Sequence, residues 1–173
     1  MGSQPRTSIR KIDWRADLDT VRTLFQGYRQ WLADHQDPSP GSESRVRAGL
    51  ALVDQLIAGL PGPYGPPRGE ILLWTEGESI IACGALREIE PKVGEIKRIY
   101  IREDYRGKEF GSPFVRSLVD LARALGYERL RADTLQSMYA AIEFYQELGF
   151  RPIPAFWPHP VAGARFFERV INE

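Results

Sequence analysis

Apolar residues recur along this chain at two spacings, and the points where one spacing gives way to the other outline its elements. Leu18, Val21, Leu24, Phe25, Tyr28 and Leu32 fall on one stripe of a 3.6-residue period, predicting a long amphipathic helix after a short strand at residues 8–12. Val46, Leu50, Val53 and Ile57 make a second stripe, predicting a helix over about residues 44–60. Residues 37–42 between them carry prolines and a glycine and read as a loop. Pro61, Pro63, Pro66 and Pro67 then bar regular structure, because proline lacks the N–H that a helix or strand needs. Strands are expected at residues 70–75 and 79–88, joined by a hairpin turn at Glu76-Gly77-Glu78, and a further strand follows the turn at residues 90–94 and runs to Asp104. Phe114, Leu118, Leu121, Ala122 and Leu125 recur on one helical face, and Gly126 ends that helix. Pro113 suits its first turn, where the missing N–H would have been unpaired anyway. Strand-like residues 129–134, a helix closing at residue 148 and strand-like residues 164–170 complete the chain, with no internal repeat or low-complexity tract.

The strand that ends at Asp104 breaks the two-residue alternation of a half-buried strand. Ile96 has one parity, Ile99 and Ile101 the other. One inserted residue, a bulge, would return all three to a single face. A strand buried on both faces needs no alternation, so the pattern alone leaves both readings open.

Composition narrows the class. A chain of 173 residues with 43% hydrophobic and 27% charged residues suits one globular domain spanning residues 1–173, with residues 1–6 expected to be disordered. Lysine plus arginine equals aspartate plus glutamate at 23 each, which argues against a generally basic nucleic-acid surface, although a local basic patch remains compatible. No stretch approaches the roughly eighteen apolar residues that cross a bilayer, and the polar start lacks a signal-peptide core, so no membrane partner and a cytoplasmic location are expected. Cys83 is the sole cysteine; it excludes an intramolecular disulfide and, inside the apolar run of residues 80–86, reads as a buried structural thiol. With two histidines and no Cys/His cluster, neither a metal site nor a serine-histidine-acid triad is expected.

Residues 99–114 hold the strongest chemical signal. They pass from a β-rich segment through a basic, glycine-bearing turn into the amphipathic helix. Backbone N–H groups at such a helix mouth are unpaired and the helix dipole adds about half a positive charge there, so a phosphate or pyrophosphate is favoured. The turn has neither a P-loop pattern nor a G-x-G-x-x-G fingerprint, which counts against nucleotide hydrolysis and hydride transfer.

Arg106-Gly107-Lys108-Glu109-Phe110-Gly111 resembles the pyrophosphate loop of the GNAT acyltransferases, Arg/Gln-x-x-Gly-x-Gly/Ala. Residues 141–150, Ala-Ile-Glu-Phe-Tyr-Gln-Glu-Leu-Gly-Phe, resemble the family's second signature, a helix closing on a tyrosine and Leu-Gly-Phe. The resemblance covers about residues 7–173. It implies an α+β GNAT fold: a mixed, mostly antiparallel sheet of six to seven strands flanked by about four helices, with splayed central strands binding acyl-CoA. It implies acetyl-CoA as cofactor, with main-chain contacts from Ile99 and Ile101 and a pyrophosphate cradle made of Arg106, Gly107, Lys108, Glu109, Phe110, Gly111 and Ser112. Glu109 departs from the family's usual glycine; near solvent the repulsion it adds is about 1 kcal/mol at 4 Å, and Arg106 and Lys108 offset it.

For chemistry, the resemblance implies Tyr145 as the acid that protonates the departing sulfur, although Tyr145 also lies on a plausible packing stripe with Ala141, Phe144 and Leu148. Glu95, at the start of the central strand, matches a family position for the base. His159, in the loop of residues 156–160, is the less favoured alternative, since an ordinary histidine titrates near pH 6.5. The acceptor is expected among residues 28–45, 61–67 and 155–163, where Trp31, Tyr64, Phe156 and Trp157 could wall an aromatic slot and Arg45 or Arg47 could hold a carboxylate. A Leu-Pro-Gly-x-Tyr-x-Pro-Pro stretch at residues 60–67 and a Pro-Val-x-Gly turn at residues 160–163 resemble a GNAT subgroup without fixing the substrate. The expected activity is acetyl transfer to the primary amine of a small or amino-acid-like molecule through a ternary complex. A peptide or protein amine, a non-catalytic acyl-CoA-binding module and a homodimer stay open.

Overall fold

The computed structural model describes residues 7–35, 42–106, 111–136, 138–159 and 163–171. The segment expected to be disordered at residues 1–6, and Gly107, Lys108, Glu109 and Phe110 of the expected cradle, lie outside them.

Seven strands form one sheet in the order β1-β2-β3-β4-β5-β7-β6. They are β1 (Thr7–Lys11), β2 (Glu70–Glu76), β3 (Ser79–Glu90), β4 (Val93–Ile101), β5 (Arg129–Thr134), β6 (Arg151–Ile153) and β7 (Arg165–Val170). Every neighbouring pair is antiparallel except β4 with β5. Helices α1 (Leu18–Asp34) and α2 (Glu43–Ala58) cover one face; α3 (Gly111–Ala124) and α4 (Tyr139–Glu147) cover the other. This is the α+β arrangement that the sequence leads one to expect.

Burial on both faces explains the apolar runs. In β2, Ile71 and Leu73 pack with Val21, Phe25 and Val53 of α1 and α2, whereas Leu72 and Trp74 pack with Phe114 and Leu118 of α3. Helix α3 alone buries Phe114, Val115, Leu118, Val119, Leu121 and Ala122, and each large side chain so buried is worth about 1.5–3 kcal/mol. Gly126 ends it with φ 83°, as Tyr127 N–H bonds back to Ala122 and Gly126 N–H to Arg123. Cys83 is fully buried and its thiol is pushed up to about 12 by burial, which suits a structural group. No helix among the described residues is long and apolar enough to cross a membrane.

Two expectations need correction. The strand expected to run to Asp104 stops at Ile101; Arg102 N–H still bonds to Ile81, and a 3-10 turn at Glu103–Tyr105 closes the element. The short strand β6 was not foreseen, because it has three residues, one of them Pro152, and proline is tolerated only at a sheet edge.

Gly84 sits where α3 meets the sheet. A Cβ there would lie 2.8 Å from Phe114 and 2.9 Å from Leu118. Gly84→Val is therefore expected to lower unfolding stability by about 1–3 kcal/mol through overpacking, measured by urea denaturation at constant m-value.

Candidate functional site

The parity break in β4 is a bulge. Opposite β3, Cys83 pairs with Tyr100 and Ala85 with Lys97, so two steps on β3 match three on β4. Arg98 carries φ 57°, a left-handed conformation that an arginine adopts at some cost. The extra residue returns Ile96, Ile99 and Ile101 to one core, the one shared with α3.

The same bulge opens the sheet. Strand β5 pairs with β4 only from Val93 to Ile96, and the strands part beyond it. Arg102 N–H points to β3, so by alternation the main-chain groups of Ile99 and Ile101 face away from β3, into the gap. One of them is engaged: Arg106 Nε donates to the Ile101 carbonyl at 3.0 Å. The Arg106 guanidinium also lies over the rings of Trp31 and Tyr100, at 5.9 and 5.4 Å. A free strand edge of this kind can hold an extended amide chain such as pantetheine by β-type hydrogen bonds. Gly111 and Ser112 open α3 nearby, and a Cβ at Gly111 would lie 3.3 Å from Phe144 of α4.

A cleft of about 470 Å³ runs through this gap. Its walls come from α1 and α2 (Tyr28, Trp31, Leu50, Val53), from β4 between Ile96 and Ile101, and from α4 (Ala141, Phe144, Tyr145). Helix α1 comes close to β4 because Gly27 has no side chain; a Cβ there would lie 2.8 Å from the Tyr100 hydroxyl. That approach sets Tyr28 beside Arg98, with Nη1 donating to the Tyr28 hydroxyl at 3.5 Å.

Tyr145 is 7% exposed and stacks on Phe167 at 5.7 Å, with Phe150 edge-on at 5.4 Å. Packing and cleft position therefore coincide in one residue. Burial first, then the charges of Asp133 and the influence of Tyr28, push its phenol above the ordinary value. It holds its proton at neutral pH.

The polar groups of the cleft floor form a chain. Glu95 is fully buried and does not line the cleft. Its Oε2 accepts from Arg87 Nε at 2.6 Å, directly across the β3–β4 pairing. Its Oε1 lies 3.3 Å from Lys97 Nζ, an ion pair without hydrogen-bond geometry, so that oxygen has no donor. Lys97 passes on to Asp133 of β5, 2.9 Å from both carboxylate oxygens. Asp133 also accepts from Trp157 Nε1 at 3.1 Å, and His159 Nε2 lies 3.6 Å away. Asp133, Lys97, Trp157 and His159 all line the cleft.

The expected aromatic slot is partly realised. Trp31 and Trp157 line the cleft; Phe156 packs edge-on against Phe166 and under Arg131, and Tyr64 is fully buried behind the wall, edge-on to Phe25. Arg45 and Arg47 are exposed and off the cleft, because the helical period turns Val46, Leu50 and Val53 inward instead. Lys97, Arg98 and Asp133 line the cleft without having been anticipated, whereas Tyr28 opened the segment expected for the acceptor. Their signal was present: Lys97, Arg98 and Asp133 are charged residues inside strands that the rest of the pattern marks as buried. Among the described residues no group of three His, Cys, Asp or Glu could hold a metal ion.

The profile of the acetyltransferase (GNAT) family matches residues 24–150. An uncharacterized N-acetyltransferase of Schizosaccharomyces pombe is 28% identical over 156 residues, 89% of this chain and 88% of that protein. Among solved structures, PaiA N-acetyltransferase of Thermoplasma acidophilum in complex with coenzyme A superposes with TM-score 0.71 at 17% identity, covering 95% of this chain and 99% of that one. An acetyltransferase of Salmonella typhimurium with its cofactor acetyl-CoA gives TM-score 0.64 at 18% identity, over 96% and 95%.

Among the described residues, Lys97 is the one cation that contacts both buried carboxylates, Glu95 and Asp133. Lys97→Met leaves Asp133 without its ammonium partner and Glu95 with Arg87 alone, and is expected to cost about 3–5 kcal/mol of unfolding free energy, read from chemical denaturation.

Proposed function

The chain belongs to the acetyltransferase (GNAT) family and is an acetyl-CoA-dependent N-acyltransferase; from that premise we propose that it acetylates the primary amine of a small, amino-acid-like molecule by direct attack within a ternary complex. The observation that carries this reading is a single continuous cleft. It joins the free edge of β4 at Ile99 and Ile101 to a charged floor on the side of α1 and α2, so donor and acceptor can lie in one space. Holding two reactants in attack geometry is itself a large share of the acceleration an enzyme needs.

When bound, acetyl-CoA supplies the acetyl group as a thioester. In this reading, the main chain of Ile99 and Ile101 holds the pantetheine arm, and Arg106, Gly107, Lys108, Glu109, Phe110, Gly111 and Ser112 hold the pyrophosphate at the mouth of α3. Tyr145, which lines the cleft and keeps its proton at neutral pH, gives that hydroxyl proton to the departing sulfur; its burial raises the pKa and so weakens the acid, and the position of the hydroxyl rather than its acidity supports the role. The ammonium proton of the acceptor leaves by way of His159, which Asp133 orients. Glu95 stands one step behind: with Arg87 and Lys97 it fixes the position of Asp133. It is a positioning residue in this account, not the group that touches the amine.

Calorimetric titration of acetyl-CoA, followed by an amine screen read by mass spectrometry, tests the proposal. Tyr145→Phe is expected to keep acetyl-CoA affinity while kcat falls about a hundredfold, the lower range for loss of a general acid. Because burial holds the Tyr145 proton above the ordinary tyrosine range, no fall in wild-type rate from its ionisation is expected below about pH 10. Acetyl-CoA binding with no turnover on small or peptide amines would instead identify a non-catalytic binding module.

A further inference from the structure

We propose that Arg98 is the receptor for a carboxylate on the acceptor, so that the substrate is an amine that also carries a carboxylate, of amino-acid size. This rests on the acetyltransferase reading of the same cleft and adds the substrate class to it.

Arg98 lines the cleft, yet its Nε is sealed from solvent and has no hydrogen-bond partner. A guanidinium stays charged at any pH a protein tolerates, so this is a buried positive charge looking for an anion. Among the described residues no carboxylate lies within ion-pair distance of it. The two that share its side of β4 are committed elsewhere: Glu95 to Arg87 and Lys97, Asp133 to Lys97 and Trp157. Three cations, Arg87, Lys97 and Arg98, thus face two carboxylates, and the surplus sits on Arg98.

What does surround Arg98 is polar but neutral. The Tyr28 hydroxyl accepts from Nη1 at 3.5 Å, and the guanidinium carbon lies 5.5 Å from the centre of the Tyr28 ring. The Tyr64 hydroxyl is also buried with no hydrogen-bond partner of its own. An unpaired buried cation costs several kcal/mol, and its backbone is held in a strained left-handed turn besides. A chain that only needed to fill this space would do so more stably with an apolar side chain. One fixed fork of N–H donors, flanked in the cleft by the Tyr28 phenol, matches a planar monoanion with two oxygens. A phosphate dianion would find only half of the charge it needs there.

Distance favours a short substrate. Tyr28, Arg98 and Tyr145 line one cleft of about 470 Å³, so the carboxylate receptor and the reacting end lie within one small molecule's reach.

The test compares wild type with Arg98→Gln on matched pairs of amino acids and their amides, with acetyl-CoA as donor. The wild type is expected to favour the acid over the amide by about a hundredfold in kcat/KM, and Arg98→Gln to reduce that preference to about threefold or less, mainly through KM. A wild type that takes amides as readily as acids, or a variant that keeps the preference, overturns the carboxylate receptor while leaving acetyl transfer intact. Calorimetry of N-acetyl amino acids with the CoA-loaded protein supplies a readout without turnover: Arg98→Gln should weaken them about tenfold or more and leave acetyl-CoA affinity unchanged. Binding through Arg98 with no acetylation of any amine would uphold the receptor and overturn the catalytic proposal; neither binding nor turnover of any amino acid overturns both. Arg98→Lys, which keeps the charge and loses the fork, is expected to fold as wild type does and to show an intermediate preference, so a misfolded Arg98→Gln does not end the comparison.

Discussion

One residue too many in β4 is the constraint on which this molecule turns. A strand can bury Ile96, Ile99 and Ile101 on one side only by inserting an unpaired residue between them, and the residue inserted is Arg98. The same insertion bends β4 away from β5 after Ile96, freeing the main chain of Ile99 and Ile101. It also turns the Arg98 side chain toward α1, where Gly27 lets the helix approach and Tyr28 meets the guanidinium. The free strand edge, the cleft and the placement of Arg98 beside Tyr28 are therefore three results of one departure from regular pairing.

The cleft floor is expensive to build. Glu95, Lys97, Arg98 and Asp133 are charged residues set within a largely apolar sheet, and desolvating that much charge gains little stability even when the ions are paired. The cost is tolerable because the rest of the sheet is sealed by two apolar cores. Where local rules of burial are broken in a chain that otherwise obeys them, the breakage marks the working part.

Most of the architecture was legible in the sequence, and the reasons are specific. The stripe of Phe114, Leu118, Leu121 and Ala122 gave α3 because a long helix repeats its signal, whereas the parity of Ile96 against Ile99 and Ile101 left a bulge and a strand buried on both faces equally open until the β3–β4 register decided for the bulge. The three-residue β6 repeats nothing and was invisible. At the site, Tyr145 could be picked out by its motif; its place in the cleft could not, since a packing stripe and a catalytic position look alike in one dimension. Glu95 was singled out by its position at the head of β4, but burial behind Lys97 is a property of three strands meeting, which no local pattern records. Arg45 and Arg47 drew notice as cations beside the expected acceptor loop, while Lys97 and Arg98, which line the cleft, were hidden inside a strand.

The sheet keeps the two cores apart: Val21, Phe25, Val53 and Tyr64 belong to one, Phe114, Leu118, Tyr145 and Phe167 to the other. Each core can be repacked with little strain passed to its neighbour. If the proposed acceptor lies on the side of α1 and α2, drift or engineering can recast that core for a new amine while the core of α3 and α4 stays fixed.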